Sequence, residues 1–433
     1  MLKTNEPVYR MIRLSAVVGF VTCSVAGYSQ VTLATQSLLT ELDSIRVSLK
    51  IPAMAAALQQ GDSVLFTAGL GYADVENQVR TSPATSFRVA SITKTFTSTL
   101  LMQLVQQGKL DLETPVSVYG IDLGNPRIHL KHLVTHTSEG EPGTHFQYNG
   151  YRYGLLGSII ERVTGKPFYQ LLMETIVNPL SMRSTAPGIS LADYFSYIQQ
   201  RTDMRPYFEL AFTQLAKPYV LNAKGACVAT HYLDEFGAFG GLTTTVTDLL
   251  TYSRAIDQHR FVTAQTQAAI FRPNRTTSGQ VTPYGLGWYT QTYQGLEFYW
   301  HYEQTQGESG LLVKVPSLKL SFVVLANTDK LSQPFPLGDG DLFTSPLCQL
   351  LYKYCLKVDN QFIRIDYHLP LKTIEGQLTL ASRSADKDFY NKELITQATL
   401  SIIKGIPCEP LSTTGFMQHL ISTLLQVVRR EQK

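Results

Sequence analysis

The sequence has little cysteine, no long hydrophobic run and no excess of charge of one sign. Its 433 residues include 5 cysteines, whose spacing matches no metal-ligand pattern. No stretch supplies the roughly eighteen consecutive apolar residues of a transmembrane helix. Lysine and arginine number 37 against 34 acidic residues, and a net charge of +3 is too small for a nucleic-acid-binding surface. The sequence therefore predicts no metal, no cofactor, no nucleic-acid partner and no stable transmembrane span.

The N-terminal segment has the pattern of a secretory signal. Basic residues precede the apolar run 14–26, and Gly27 and Ser29 suit the small-residue positions of a cleavage site. We therefore expect residues 1–29 to be removed and the mature protein to be exported, to the periplasm or the medium. An uncleaved anchor is the alternative, and the shortness of the apolar run disfavours it.

Four cysteines follow this segment, at Cys227, Cys348, Cys355 and Cys408. Cys348 and Cys355 lie seven residues apart on a predicted helix, which separates them by about 10 Å and rules out a local disulfide. We expect buried free thiols, although export would permit disulfides between other pairs.

Ser91 stands at the beginning of a predicted helix. Apolar residues recur with helical spacing over 96–105, and Gly108 provides a stop signal. Lys94 follows three residues after Ser91 and shares its helix face. An ammonium next to a serine hydroxyl at the positive end of a helix makes the alkoxide less costly to form. The pattern predicts a nucleophile with its activating lysine, and the alternative is an exposed serine with a solvated lysine.

Short motifs run through the chain in a fixed order. They are Ile51-Pro52-Ala53, Gly71-Tyr72-Ala73-Asp74, the run 85–91, the run 132–138, Pro142-Gly143-Thr144, Leu155-Leu156-Gly157, Asn178-Pro179-Leu180, Gly240-Gly241-Leu242 and the run 284–288. With these motifs, residues 51–327 resemble the serine beta-lactamase and penicillin-binding protein family, in its class C and esterase-like branch. The resemblance implies an α/β (α+β) fold: an antiparallel sheet flanked by helices, an all-helical lobe, and an active site in the cleft between them.

The residue pattern favours the same arrangement. A helix-rich stretch over 91–256 separates strand-like runs near the front from strand-like runs near the back, so both ends should form one sheet. A helix over 342–356 should pack on that sheet. The predicted strands are 52–59, 63–68, 308–315 and 320–326.

These elements suggest two units after the signal segment. Residues 30–356 should form the beta-lactamase-like hydrolase domain, and residues 357–433 a helical C-terminal appendage. Within the appendage, the stretches 389–403 and 416–428 have apolar residues at helical spacing.

The resemblance also implies further site residues. Tyr148 matches a tyrosine that relays a proton between the serine and the lysine, and nearby cations should lower its pKa. His301 matches a residue on the strand that lines the cleft, where it gives the substrate a polar edge; an ordinary strand histidine is the alternative. The backbone N–H groups of Ser91 and Gln304 should stabilise the oxyanion.

Two positions that should contact the substrate depart from the family pattern. Gly150 stands where an asparagine normally contacts the acylamino group of the substrate, and Asn149, one place earlier, cannot face the same way. Glu303 stands where glycine is usual, and it adds bulk and negative charge next to the oxyanion site. Both changes count against recognition of beta-lactams, and Glu303 also counts against anionic substrates.

The sequence thus predicts an exported serine hydrolase that forms an acyl-enzyme on Ser91. Its substrate is a small molecule or peptide: an ester, an amide or a D-amino-acid peptide, with a beta-lactam open but disfavoured. The alternatives are a penicillin-binding or catalytically degenerate protein without turnover, and an interaction protein acting through residues 357–433. His132 and His136 are expected to be structural. No oligomeric state follows from the sequence.

Overall fold

A computed structural model describes residues 35–188, 205–232 and 235–356, and the backbone of the strands Arg364–Tyr367 and Leu378–Ala381. The predicted signal segment, Cys408 and the two amphipathic stretches of the appendage lie outside these residues. Within the described parts of the chain, no helix is both long enough and apolar enough to cross a membrane.

Strands and helices occur in groups along the chain. The strands are β1 (Ala53–Gln60), β2 (Ser63–Asp74), β3 (Val79–Arg80), β4 (Phe87–Arg88), β5 (Ala186–Pro187), β6 (Tyr219–Leu221), β7 (Cys227–Ala229), β8 (Leu242–Thr244), β9 (Tyr289–Tyr293), β10 (Leu296–Thr305), β11 (Glu308–Val315), β12 (Leu320–Ala326), β13 (Arg364–Tyr367) and β14 (Leu378–Ala381). The helices are α1 (residues 35–48), α2 (Thr93–Gln106), α3 (Leu130–Val134), α4 (Gly150–Thr164), α5 (Phe168–Leu172), α6 (Arg205–Thr213), α7 (Val246–Asp257), α8 (Ala264–Phe271) and α9 (Pro346–Cys355).

Among the described residues, a seven-stranded antiparallel sheet has the order β3-β2-β1-β12-β11-β10-β9. The predicted sheet formed by both ends of the chain is therefore confirmed. The strands β11 and β12 have the predicted bounds, whereas β2 continues past its predicted end to Asp74.

The two faces of the sheet bury different helices. Because side chains alternate along a strand, Ala55 and Ala57 of β1 join the core that contains α2, α4 and α7. Met54 and Ala56 point to the opposite core, which contains α1 and α9. The predicted helix over 342–356 thus packs on the sheet, where it begins as a 3₁₀ turn and continues as α9. The predicted fold class, a mixed helical and antiparallel architecture, is confirmed.

The segment that holds Ser91 is fixed from two sides. Before it, β4 pairs with β8, a two-residue ladder that carries no sequence periodicity and was not predicted. Ser91 lies in a 3₁₀ turn, Ala90–Ile92, which leads into α2. Behind the turn, a Cβ added to Gly310 of β11 would lie 3.1 Å from Cδ1 of Ile92. Glycine at that position lets the turn approach the sheet closely.

The cysteines in the described residues are free. Cys348 is buried in α9 and Cys355 is partly buried, which agrees with the expected buried thiols. Cys227 contradicts that expectation because it is exposed on β7, a hairpin strand whose three residues are all exposed.

Candidate active site

Ser91, Lys94 and Tyr148 meet at one point. Nζ of Lys94 donates to Oγ of Ser91 at 2.7 Å, and the hydroxyl of Tyr148 donates to the same oxygen at 2.9 Å. A second acceptor for Lys94 is the carbonyl oxygen of Phe239, at 2.6 Å. The serine oxygen thus accepts hydrogen bonds from both an amine and a phenol.

The chain just after Tyr148 is held by a helix cap. Oδ1 of Asn149 accepts from the backbone N–H of Arg152 at 2.9 Å, and its amide donates to Glu139. Asn149 therefore caps α4, as its residue type favours, and its side chain is used there. Gly150 has no atom within 4 Å of where a side chain would begin. In this arrangement neither residue brings an amide to Ser91.

Lys94 is electrostatically prepared to act as a base. Burial lowers the pKa of Lys94 to about 7, against an opposing effect of the Glu303 carboxylate. Near neutral pH a large share of the amine is therefore uncharged. A neutral amine can keep one N–H on the carbonyl of Phe239 and turn its lone pair to the Ser91 hydroxyl. No sequence pattern indicated a role for Phe239, although it directly precedes the Gly240-Gly241 motif.

Tyr148 behaves differently from the expectation. Burial raises its pKa well above the usual value, the nearby Glu303 carboxylate adds to this, and the hydrogen bond to Ser91 opposes it. The predicted lowering is wrong because burial dominates and a carboxylate lies close by. Tyr148 is therefore a neutral phenol that donates a hydrogen bond to the serine oxygen.

His301 is buried on β10 with both ring nitrogens engaged. Nδ1 lies 2.8 Å from the carbonyl oxygen of Tyr302, and Nε2 lies 2.9 Å from the hydroxyl of Tyr284. Burial, helped by the charge of Lys94, lowers the pKa of His301 to about 3. The ring packs 6.4 Å from that of Tyr148, measured between centroids. In this arrangement His301 supports the wall of the site and offers no free polar edge.

His132 and His136, the two histidines expected to be structural, take part in local hydrogen bonding. Nδ1 of His136 accepts from the backbone N–H of Asn149 at 3.1 Å, and its ring stacks 4.2 Å from the ring of Tyr148. Nδ1 of His132 accepts from the backbone N–H of His129 at 2.9 Å, at the beginning of α3. In the part of the chain that the structure describes, no group of three His, Cys, Asp or Glu side chains is placed to hold a metal.

Glu303 reaches into the site from β10. Its side chain is 2% exposed, and its carboxylate accepts a hydrogen bond from the backbone N–H of Ser91. Burial raises the pKa of the Glu303 carboxyl, while hydrogen bonds from Ser91 and from the Gln304 backbone N–H lower it, as does the charge of Lys94. One of the two predicted oxyanion donors, the backbone N–H of Ser91, is therefore directed at this carboxylate.

This fold has counterparts among known proteins. The family model named Beta-lactamase matches residues 37–340, which is more than half of the chain. The chain belongs to the beta-lactamase family.

Beta-lactamase relatives with curated names are distant. A D-aminopeptidase of Gluconobacter oxydans is 25% identical over 310 residues, which cover 64% of this chain and 56% of that protein. The protein flp of Staphylococcus aureus is 26% identical over 321 residues, covering 64% of this chain and 60% of flp. The chain thus spans less than two thirds of the length of these relatives.

Solved structures share the beta-lactamase fold. An octameric penicillin-binding protein homologue from Pyrococcus abyssi superposes with a TM-score of 0.58 at 22% identity, covering 68% of this chain and 74% of that one. A D-amino acid amidase from Ochrobactrum anthropi superposes with a TM-score of 0.57 at 20% identity, covering 75% of this chain and 97% of that one. At these identities the superpositions support the fold.

Proposed function

We propose that the protein is an exported serine hydrolase that acts through an acyl-enzyme on Ser91. The observation that carries this proposal is the pair of hydrogen bonds on Oγ of Ser91, from Lys94 at 2.7 Å and from Tyr148 at 2.9 Å. Together they provide a base of suitable pKa and a proton relay for one nucleophile. Export follows from the signal-like residues 1–29.

These residues support acylation of Ser91 followed by hydrolysis of the acyl-enzyme. Oγ of Ser91 attacks the substrate carbonyl carbon while its proton passes to the neutral amine of Lys94. The bond to the leaving alcohol or amine then breaks, and the proton reaches the leaving group through the hydroxyl of Tyr148. Water attacks the carbonyl carbon of the resulting ester and gives up a proton to the same pair. The bond between that carbon and Oγ of Ser91 then breaks, Oγ takes the proton back, and the acid leaves.

The proposed substrate is an ester, an amide or a D-amino-acid peptide. The names of the D-aminopeptidase relative and the D-amino acid amidase neighbour favour that class. A beta-lactam is disfavoured, because Gly150 supplies no amide and the Glu303 carboxylate lies at the serine.

A second candidate is a protein of the same fold that is acylated without turnover, or not at all. The position of Glu303 favours it, because the carboxylate takes the backbone N–H that an oxyanion would need.

Labelling with a fluorophosphonate probe tests the proposal. We expect mass spectrometry to locate one adduct on Ser91, and Ser91→Ala to abolish it. Ser384→Ala is the matched control, since Ser384 has the same spacing to Lys387, and it should label like the wild type. Labelling of any other serine, or none, would contradict the nucleophile assignment.

Turnover separates the two candidates. With p-nitrophenyl acetate, a hydrolase releases many equivalents of nitrophenol per protein molecule. A protein that is only acylated releases one equivalent and stops, and this outcome would favour the second candidate.

A further inference from the structure

The carboxylate of Glu303 occupies the place where a substrate carbonyl oxygen should bind. It accepts from the Ser91 backbone N–H. Glu303 stands opposite Gly310 in the ladder between β10 and β11, so its neighbour has no side chain to push it away. The resting site thus holds a carboxyl group of its own at the predicted oxyanion donor of Ser91.

Substrate binding must displace this group. When a carbonyl oxygen takes the Ser91 N–H, the carboxylate loses that donor while it stays among buried residues. An ionised carboxylate without donors in such a place is strongly unfavourable. Lys94 cannot fully compensate, because its amine must be neutral to accept the proton of Ser91. Glu308, the next buried carboxyl, gives no help, because burial and repulsion from Glu303 raise its pKa to about 8.

A cation on the substrate itself would solve this problem. In an amino acid ester or amide with a free amino group, the α-nitrogen and the carbonyl oxygen are separated by three bonds, and they lie about 3 Å apart when they face the same way. When that oxygen enters the oxyanion site, the α-ammonium arrives next to it. The displaced carboxylate can then accept charge-assisted hydrogen bonds from the ammonium.

We infer that Glu303 selects substrates that carry a free α-ammonium next to the scissile carbonyl. This inference rests on the proposed acylation of Ser91 and names the substrate class of the same site: amino acid esters and amides, and the amino-terminal residue of peptides. Substrates with a blocked amine leave the carboxylate unpaired, and those with an anion in that place repel it.

Matched alanine p-nitroanilides test the inference, in both D and L forms because Glu303 does not fix the handedness. The acyl groups are alanyl with a free amine, N-acetylalanyl, N-succinylalanyl and lactyl, the last replacing the ammonium by a hydroxyl of similar size. For the wild type we expect kcat/KM to favour the free amine over the acetyl and lactyl compounds by about 10- to 100-fold. The succinyl compound should be the poorest.

The variant Glu303→Gln keeps the size of the side chain and removes its charge. We expect the preference for the free amine to fall close to unity and the succinyl compound to gain most. Glu297→Gln is the matched control, the same change at an exposed position of the same strand, and it should keep the wild-type preference. A preference that survives Glu303→Gln would overturn the inference.

Two measurements distinguish failure of this inference from failure of the proposed function. The comparison of alanyl with lactyl substrate needs only the wild type, so a misfolded variant does not remove the test. If Ser91 is labelled by the fluorophosphonate and the wild type treats the two alike, the inference is wrong and the acyl-enzyme proposal stands. If Ser91 is not labelled, both fail.

Discussion

The hydroxyl of Tyr284 lies 2.9 Å from Nε2 of His301. Because a carbonyl oxygen can only accept, the contact of Nδ1 with the Tyr302 carbonyl places the ring proton on Nδ1. In the neutral ring, Nε2 then accepts from Tyr284. A pKa of about 3 keeps His301 in this form throughout the neutral range. The histidine therefore contributes shape and not charge to the site.

The pH dependence of acylation should follow Lys94. Because the pKa of Lys94 is lowered to about 7 and the neutral amine is the base, the acylation rate should rise as pH increases through about 7. The Glu303 carboxylate raises that pKa, so Glu303→Gln should move the rise to lower pH. Stopped-flow acylation with a neutral activated ester measures both profiles.

The exposed-site variant Glu297→Gln should leave the profile in place. A midpoint that moves to higher pH in Glu303→Gln would contradict the assignment of Lys94 as the base. Additional titration from His301 between pH 5 and 8 would contradict its neutral, hydrogen-bonded state.

The groups on the serine oxygen should act as one unit. Lys94→Ala removes the base and Tyr148→Phe removes the 2.9 Å hydrogen bond, so each should reduce the acylation rate on the order of a hundredfold or more. The double variant should be little worse than either single variant, because both belong to one proton-transfer path. Single-turnover kinetics give the three rates, and losses that multiply would show two independent contributions.

Residues with a local signal could be predicted from the sequence. Ser91 and Lys94 share a face of a predicted helix, and the strands on either side of Pro316 are largely apolar runs separated by a turn signal. Motif register alone located Tyr148 and Glu303, which lie far apart in the chain and meet at the same nucleophile. Resemblance thus supplied long-range proximity that periodicity cannot provide.

Other features depend on the folded environment and left no sequence signal. The partner of Lys94 at Phe239 is a backbone carbonyl, which every residue type carries. The pKa of Tyr148 depends on desolvation, which exists only after the surrounding side chains pack. The direct contact of Glu303 with Ser91 depends on the side-chain rotamer of Glu303. The motif register therefore located Glu303 near the nucleophile but could not predict its hydrogen bond with the Ser91 backbone N–H.

A buried ion pair should stabilise the packing of α7 on the sheet. Nζ of Lys314, which is 1% exposed, lies 2.8 Å from Asp257 and donates to Oγ of Ser253 at 2.6 Å. Asp257→Ala leaves a buried amine without its counter-ion. The free energy of unfolding should fall on the order of 2–3 kcal/mol, less than for a wholly buried pair because Asp257 is partly exposed.

Urea denaturation with an unchanged m value measures this loss. The double variant Asp257→Ala with Lys314→Met should regain much of it, since no unpaired charge is left. A double variant as unstable as the single one would show that lost side-chain packing, and not the unpaired charge, causes the loss in the free energy of unfolding.

The pairing of β1 with β12 in the sheet also bears on when the proposed site can form. The backbone N–H of Ala53 donates to the side chain of Asn327 across 274 positions of the chain. Contacts that close so long a loop form late and slow the folding of a domain. During synthesis, Ser91 leaves the ribosome long before the strand that carries Glu303 and Gln304. The growing chain therefore carries the proposed nucleophile without its second predicted oxyanion donor, and the site is complete only when the last strands of the sheet join the first.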